Sequence, residues 1–153
     1  MKNLENKIPP PILVLVIAVA MGGAAKLQTP IHIDPAMRTG LLVVLNVTAL
    51  VFGLGGIIAF RRAKTTINPV QIDQASHVVT GGIYRVTRNP MYVGLTALLT
   101  MWALLLAAPW TLPGPGFFAV FTHWLQILPE ERVLETKFGR EYLDYKKRVR
   151  RWL

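Results

Sequence analysis

Fourteen residues, Gly81–Gly94 (GGIYRVTRNPMYVG), hold two tyrosines, two arginines and an Asn-Pro step between glycines, then run into apolar sequence. Paired Gly81 and Gly82 allow positive φ or a close backbone approach to a ligand. Pro90 restricts Asn89 to extended conformations and suits the first turn of a helix. A helix beginning there leaves free backbone N–H groups at its mouth, where an anionic group can bind. Tyr84 and Tyr92 add flat faces with hydroxyl tips, and Arg85 and Arg88 add fixed positive charge. The stretch reads as a polar ligand lip, or else as a basic turn that anchors the next helix near a membrane. A second cluster, Glu130-Glu131, follows directly on apolar sequence, where a carboxylate must meet a cation or hydrogen-bond donors. His32, His77 and His123 are scattered and cysteine is absent, so neither a metal site nor a nucleophilic triad is indicated.

These residues must be positioned by apolar elements. The chain has 153 residues, 52% hydrophobic and 16% charged, against roughly 25% charged in an ordinary soluble domain. Ile8–Ala25 is 18 residues without an ionisable group, Thr39–Phe60 is 22, and Asn89–Pro129 is 41 without Asp, Glu, Lys or Arg. A bilayer core takes about 20 helical residues, so the last interval holds two spans, broken at Pro109–Gly116. The expected fold is an all-α integral membrane protein of one domain, 1–153, with four transmembrane helices at about 8–25, 40–60, 90–108 and 113–129. A loop, 61–89, and a tail, 130–153, complete it. The first span also fits a signal peptide, but its removal would leave three spans, and it is kept as a helix. Gly53, Gly55 and Gly56 in the second span suit close helix contact.

Charge sets the orientation. With the N-terminus in the cytoplasm, 15 of the 17 Lys and Arg fall on that side, leaving Lys26 and Arg38 outside. The multi-pass chain then has both termini in the cytoplasm, in a bacterium at the inner membrane. The net charge of +9 belongs to a membrane surface rather than to nucleic acid, since no aromatic-interleaved basic stripe is present. Leu134, Phe138 and Tyr142 recur every fourth residue as one apolar helix face. The final KKRVRRWL reads as an interfacial segment on anionic lipid headgroups.

The lip and Glu130-Glu131 thus share one membrane face. Together they suit an extended ligand with an ammonium for a carboxylate, a carboxylate for N–H or hydroxyl donors, and a flat base for aromatic walls; S-adenosylmethionine has all three. HVVTGGIYRVTRNPMYVG, continued by PEERVLETKFGREYLDYKKRV, resembles the isoprenylcysteine carboxyl methyltransferase family, over about Thr65 to Val149. The wider group includes phospholipid N-methyltransferases and small-thiol methyltransferases. The resemblance implies a cytoplasmic pocket for S-adenosylmethionine, leaving S-adenosylhomocysteine as product. His77, Val78, Val79 and Thr80 match one cofactor segment. Tyr84, Asn89, Pro90, Met91 and Tyr92 match a second, Glu130 matches the glutamate that holds the methionine ammonium, and Gln71 corresponds to a polar contact upstream.

Two positions depart from the family. Asn89 stands where the eukaryotic enzymes usually have His and cannot carry its charge. Gln126 stands where the carboxyl methyltransferases place an Arg associated with substrate, and His123 lies one turn from it; both are assigned to the acceptor side. The catalytic assignments are Arg88 and Glu131, with Glu131 or His123 as base for an amine or thiol acceptor. The expected reaction is in-line methyl transfer to a lipophilic small molecule or a membrane lipid. Rival readings are a phospholipid-amine or small-thiol methyltransferase, a membrane reductase using NADPH, and a non-catalytic four-helix scaffold.

Overall fold

Prolines open four of the helices, because a residue without an N–H costs nothing where no intrahelical acceptor is available. The structure is a computed structural model that describes residues 8–63 and 77–153. Helix α1 spans Pro10–Ala25 and α2 spans Pro35–Arg62; a 3-10 turn at Gly82–Arg85 precedes α3, Pro90–Leu106. A second 3-10 turn, Pro109–Thr111, leads into α4, Pro113–Thr122. A π turn at His123–Ile127 joins α4 to α5, Leu128–Phe138, and α6 covers Arg140–Arg148. No strand is present among the described residues, only a parallel bridge between Thr87 and Arg150.

Helix α2 is the one among the described residues that is long and apolar enough to cross a membrane. Its 28 residues extend for about 42 Å. Only Ala49 and Gly56 in it are buried, while Val43, Val47, Leu50 and Leu54 face outward. An apolar outer surface of this kind is the reverse of a soluble helix. α1 and α3 are shorter apolar helices of 16 and 17 residues. The expected span 113–129 is divided among α4, the π turn and the start of α5, so helix length alone supports one crossing rather than four. α2 also starts earlier than the expected 40, because the Asp34 carboxylate accepts from Met37 N at 2.9 Å and caps it. Arg38 therefore lies inside the helix and donates to the Leu105 carbonyl at the end of α3, at 2.8 Å.

The break expected after α3 is present: Ala107 takes a left-handed conformation, φ 50, and the 3-10 turn follows. Pro129 stands in the first turn of α5. The preceding turn widens to π pairing, with Leu128 N donating to His123 O, which absorbs a proline inside a continuing helix. A break follows at Gly139, φ 51, between α5 and α6.

Leu13, Ile17 and Met21 of α1 recur every fourth residue and pack with Leu99 and Ala103 of α3, Phe118 of α4 and Ile127. α2 and α3 meet through glycines. A Cβ on Gly94 would lie 2.8 Å from Gly53 N, and one on Gly56 would lie 2.6 Å from Met91 Cγ. The small-residue contact expected of the second span is thus made, and it fixes where Met91 and Tyr92 stand.

Candidate functional site

A cavity of about 350 Å³ opens between the ends of α1, α2 and α3, the 3-10 turn, α5 and α6. That volume is within the range of small-molecule sites. Of the residues singled out in the sequence, His77, Val78, Val79, Tyr84, Arg88, Asn89, Met91, Tyr92, Glu130 and Glu131 line it. Thr80, Pro90, His123 and Gln126 are not in its wall, and Gln71 lies outside the described residues. Two stretches forty residues apart in the chain therefore share one space.

The turn before α3 is shaped by its glycines. Gly81 is extended, and Gly82, at φ 60, takes the left-handed conformation that side chains resist. This turns Tyr84 inward, where its ring meets Phe60 edge-on at 5.4 Å. The Tyr145 hydroxyl donates to the Tyr84 carbonyl at 2.7 Å. Burial, followed by the neighbouring Tyr145 and Glu130, pushes the Tyr84 phenol well above its usual value. Tyr84 thus stays neutral.

Glu130 and Glu131 are adjacent but live in opposite environments. The Tyr92 hydroxyl lies 2.7 Å from Glu130 Oε1 and 3.0 Å from Gln126 Oε1, donating its one proton to either. Burial pushes Glu130 up to about 7; the Tyr92 hydrogen bond pulls it down, and the charge on Glu131 pushes it up again. Glu131 is also buried, which favours its neutral form, but cations outweigh this. Arg151 grips it with two bonds of 2.8 Å, Arg88 Nη1 lies at 3.0 Å and Lys146 Nζ at 3.5 Å. Glu131 is held ionised. Lys146 also pairs with Glu135. Glu130, by contrast, presents its carboxyl in the cavity wall.

Gln126 is 1% exposed, and its amide Nε2 donates to the Ile8 carbonyl while its oxygen faces Tyr92. Both its polar ends are occupied within the protein, tying the start of α1 to the π turn. His123 stacks edge-on against Trp124 at 5.3 Å. The arrangement thus puts the two residues assigned to the acceptor outside the cavity wall.

Sequence reasoning missed Phe60, Tyr142 and Tyr145, so all four tyrosines of the chain line one cavity. It also missed Arg151 and Lys146 as partners of Glu131. The signal was the need, stated at Glu130-Glu131, for cations beside a carboxylate at an apolar boundary. The basic tail that supplies them was read as a lipid-facing segment. Lys147, Arg148 and Arg150 are indeed exposed, but Arg151 points to Glu131 and Trp152 packs on the core of α1, α3 and α4.

The profile of the phospholipid methyltransferase family matches residues 37–141, well over half of the chain, including the turn before α3 and both glutamates. A Haemophilus influenzae protein described as uncharacterized is 43% identical over 63 residues, which cover 41% of this chain and 100% of that protein. No solved structure matches. With the family's region spanning every wall of the cavity but those of α1 and α6, the chain belongs to the phospholipid methyltransferase family and is in general terms a membrane methyltransferase.

Proposed function

We propose that the chain transfers a methyl group from S-adenosylmethionine to a lipophilic acceptor at the cytoplasmic face of a membrane that it crosses four times. The observation that carries this reading is the single cavity that unites Tyr84, Asn89, Met91 and Tyr92 with Glu130. The residues fit the donor. Glu130 offers a carboxylate to an ammonium, and the Tyr92 hydroxyl orients it. Tyr84, Tyr142 and Tyr145, with Phe60, Val78 and Val79, offer aromatic and aliphatic walls for a flat base and a sulfonium. When bound, S-adenosylmethionine supplies an already activated methyl group, so the protein's share is alignment and exclusion of water.

Arg88 and Glu131 act in this reading as a charged wall that positions the site. Glu131 has its oxygens committed to Arg151, Arg88 and Lys146 and is a poor proton acceptor. That arrangement favours acceptors whose nucleophile is already deprotonated, such as a carboxylate or thiolate. A phospholipid amine is the second reading, favoured by the name of the matching family. Apolar outward faces on α1 and α2 suit an acceptor that arrives laterally from the bilayer. The test is transfer of labelled methyl groups, by chain reconstituted in liposomes, to isoprenyl-thiol, fatty-acid and aminophospholipid acceptors. Label in one lipid class names the acceptor; no label in any of them removes the proposed activity.

A further inference from the structure

The segment after α6 runs back along the turn before α3. Arg88 N donates to the Arg150 carbonyl at 2.9 Å, closing the parallel bridge between Thr87 and Arg150. The Arg151 carbonyl accepts twice, from Thr87 Oγ1 at 3.0 Å and from Asn89 Nδ2 at 2.9 Å. The guanidinium of the same residue makes the two bonds to Glu131. Through its main chain Arg151 holds one half of the candidate site, and through its side chain it holds the other. The region matched by the family ends at residue 141, before this segment begins.

Two details direct these bonds at site residues. Asn89 is the N-cap of α3, yet its side chain makes no capping bond; the amide is turned to Arg151 instead. Its backbone N–H donates at 3.2 Å to Thr87 Oγ1, the hydroxyl that Arg151 also engages. Asn89 is therefore fixed at two points by one carbonyl, directly and through Thr87, which is fully buried. On the opposite wall, the bidentate fork of an arginine fixes both the geometry and the charge of a carboxylate, and that carboxylate neighbours Glu130.

We propose that Arg151 is a positioning residue for the methyl-donor site, setting Asn89 through its carbonyl and offsetting the charge of Glu131 beside Glu130 through its guanidinium. The proposal rests on reading the cavity as a donor site. Among the described residues, Glu131 faces Arg88 from the turn, Lys146 and Tyr142 from α6, and Arg151, while Glu135 shares Lys146. Glu130 faces Tyr92, Tyr84 and Glu131. Loss of the Arg151 guanidinium leaves Arg88 and Lys146 on Glu131, which stays ionised with its field at Glu130 less compensated. Glu130 then holds its proton to higher pH, in competition with the ammonium of the donor.

The test is calorimetric binding of S-adenosylhomocysteine to the full chain in detergent micelles between about pH 6 and 8.5, for wild type, Arg151→Gln and Arg151→Lys. Arg151→Gln is expected to weaken binding about twofold at pH 7, where a half-unit rise halves the ionised fraction of Glu130. It should also raise the pH of half-maximal affinity by about half a unit or more. Arg151→Lys keeps the charge without the fork, and is expected to lose some affinity with the pH midpoint of wild type. Wild-type affinity and midpoint in Arg151→Gln overturn the proposal. So does equal weakening in both variants with no shift of midpoint, the mark of a tie that serves the fold alone. Should Arg151→Gln fail to fold, Thr87→Val removes one bond to the carbonyl; severalfold weaker binding supports the proposal, and unchanged binding overturns it. A wild-type chain that binds no S-adenosylhomocysteine overturns the donor reading itself, which separates the two failures.

Discussion

Replacing Glu130 by Gln keeps the shape of the side chain and removes its charge, and the structure gives the size of the effect. With the carboxyl pushed up to about 7, the empty site is about nine-tenths ionised at pH 8 and about one-tenth ionised at pH 6. A donor ammonium takes the ionised form, so wild-type affinity should fall about tenfold across that interval. At pH 8 the variant loses a hydrogen bond between charged groups, worth about 1.5–3 kcal/mol, which is roughly 10- to 150-fold in affinity. It has no proton to lose, so its affinity should stay flat and the two curves should converge towards pH 6. Stability moves the other way. The folded carboxyl titrates above its ordinary 4.5, so the empty protein binds extra proton in the window from there to about 7. Stability therefore falls as pH rises through that window. Glu130→Gln escapes this loss and should be more stable than wild type at pH 8 without ligand, by up to about 3 kcal/mol. Calorimetric titration with S-adenosylhomocysteine and thermal unfolding, both in detergent, read the two effects. A variant that binds as wild type does, or that keeps the wild-type slope with pH, refutes the assignment of Glu130 to the ammonium.

Tyr92→Phe removes the hydroxyl that favours ionised Glu130, so the pH midpoint of binding should rise and affinity at pH 7 should drop severalfold; the same titration checks it. Glu131→Gln leaves Arg88, with a side chain 9% exposed, beside a neutral partner, and should cost about 3–5 kcal/mol in unfolding measurements. The Glu131 carboxyl is held below its usual range, so its contribution is present above the unfolded value and lost as pH falls through the folded one. Acid unfolding of wild type should show that loss and the variant should lack it. Gly94→Ala places a Cβ 2.8 Å from Gly53 N and 3.1 Å from the Ala49 carbonyl, backbone atoms that cannot swing away. It should destabilise by about 1–3 kcal/mol and weaken donor binding, because α3 carries Met91 and Tyr92.

Much of the site could be read in the sequence because its signals are local. Gly82, Asn89-Pro90 and the apolar run after them dictate a turn and a helix start whatever surrounds them, and the glycines of α2 announce a close neighbour. Helix existence followed from charge-free intervals, whereas helix ends followed from caps that such intervals do not register, as Asp34 shows at α2. Gln126 and His123 illustrate the harder limit: spacing places them a turn from each other, but their partners, Ile8 and Trp124, are set by the packing of α1 and the π turn. Arg151 was illegible for a related reason. In a run of five basic residues nothing local marks the one that folds back to a carboxylate twenty positions earlier.

The central claim is that the turn before α3 and the start of α5 hold one methyl donor between them, and equilibrium binding of labelled S-adenosylmethionine to the purified chain tests it most directly. The account predicts one molecule bound per chain, displaced by S-adenosylhomocysteine, unaffected by NADPH, and weakened by Glu130→Gln and Tyr92→Phe alike. No saturable binding, or binding that both substitutions leave untouched, would contradict it.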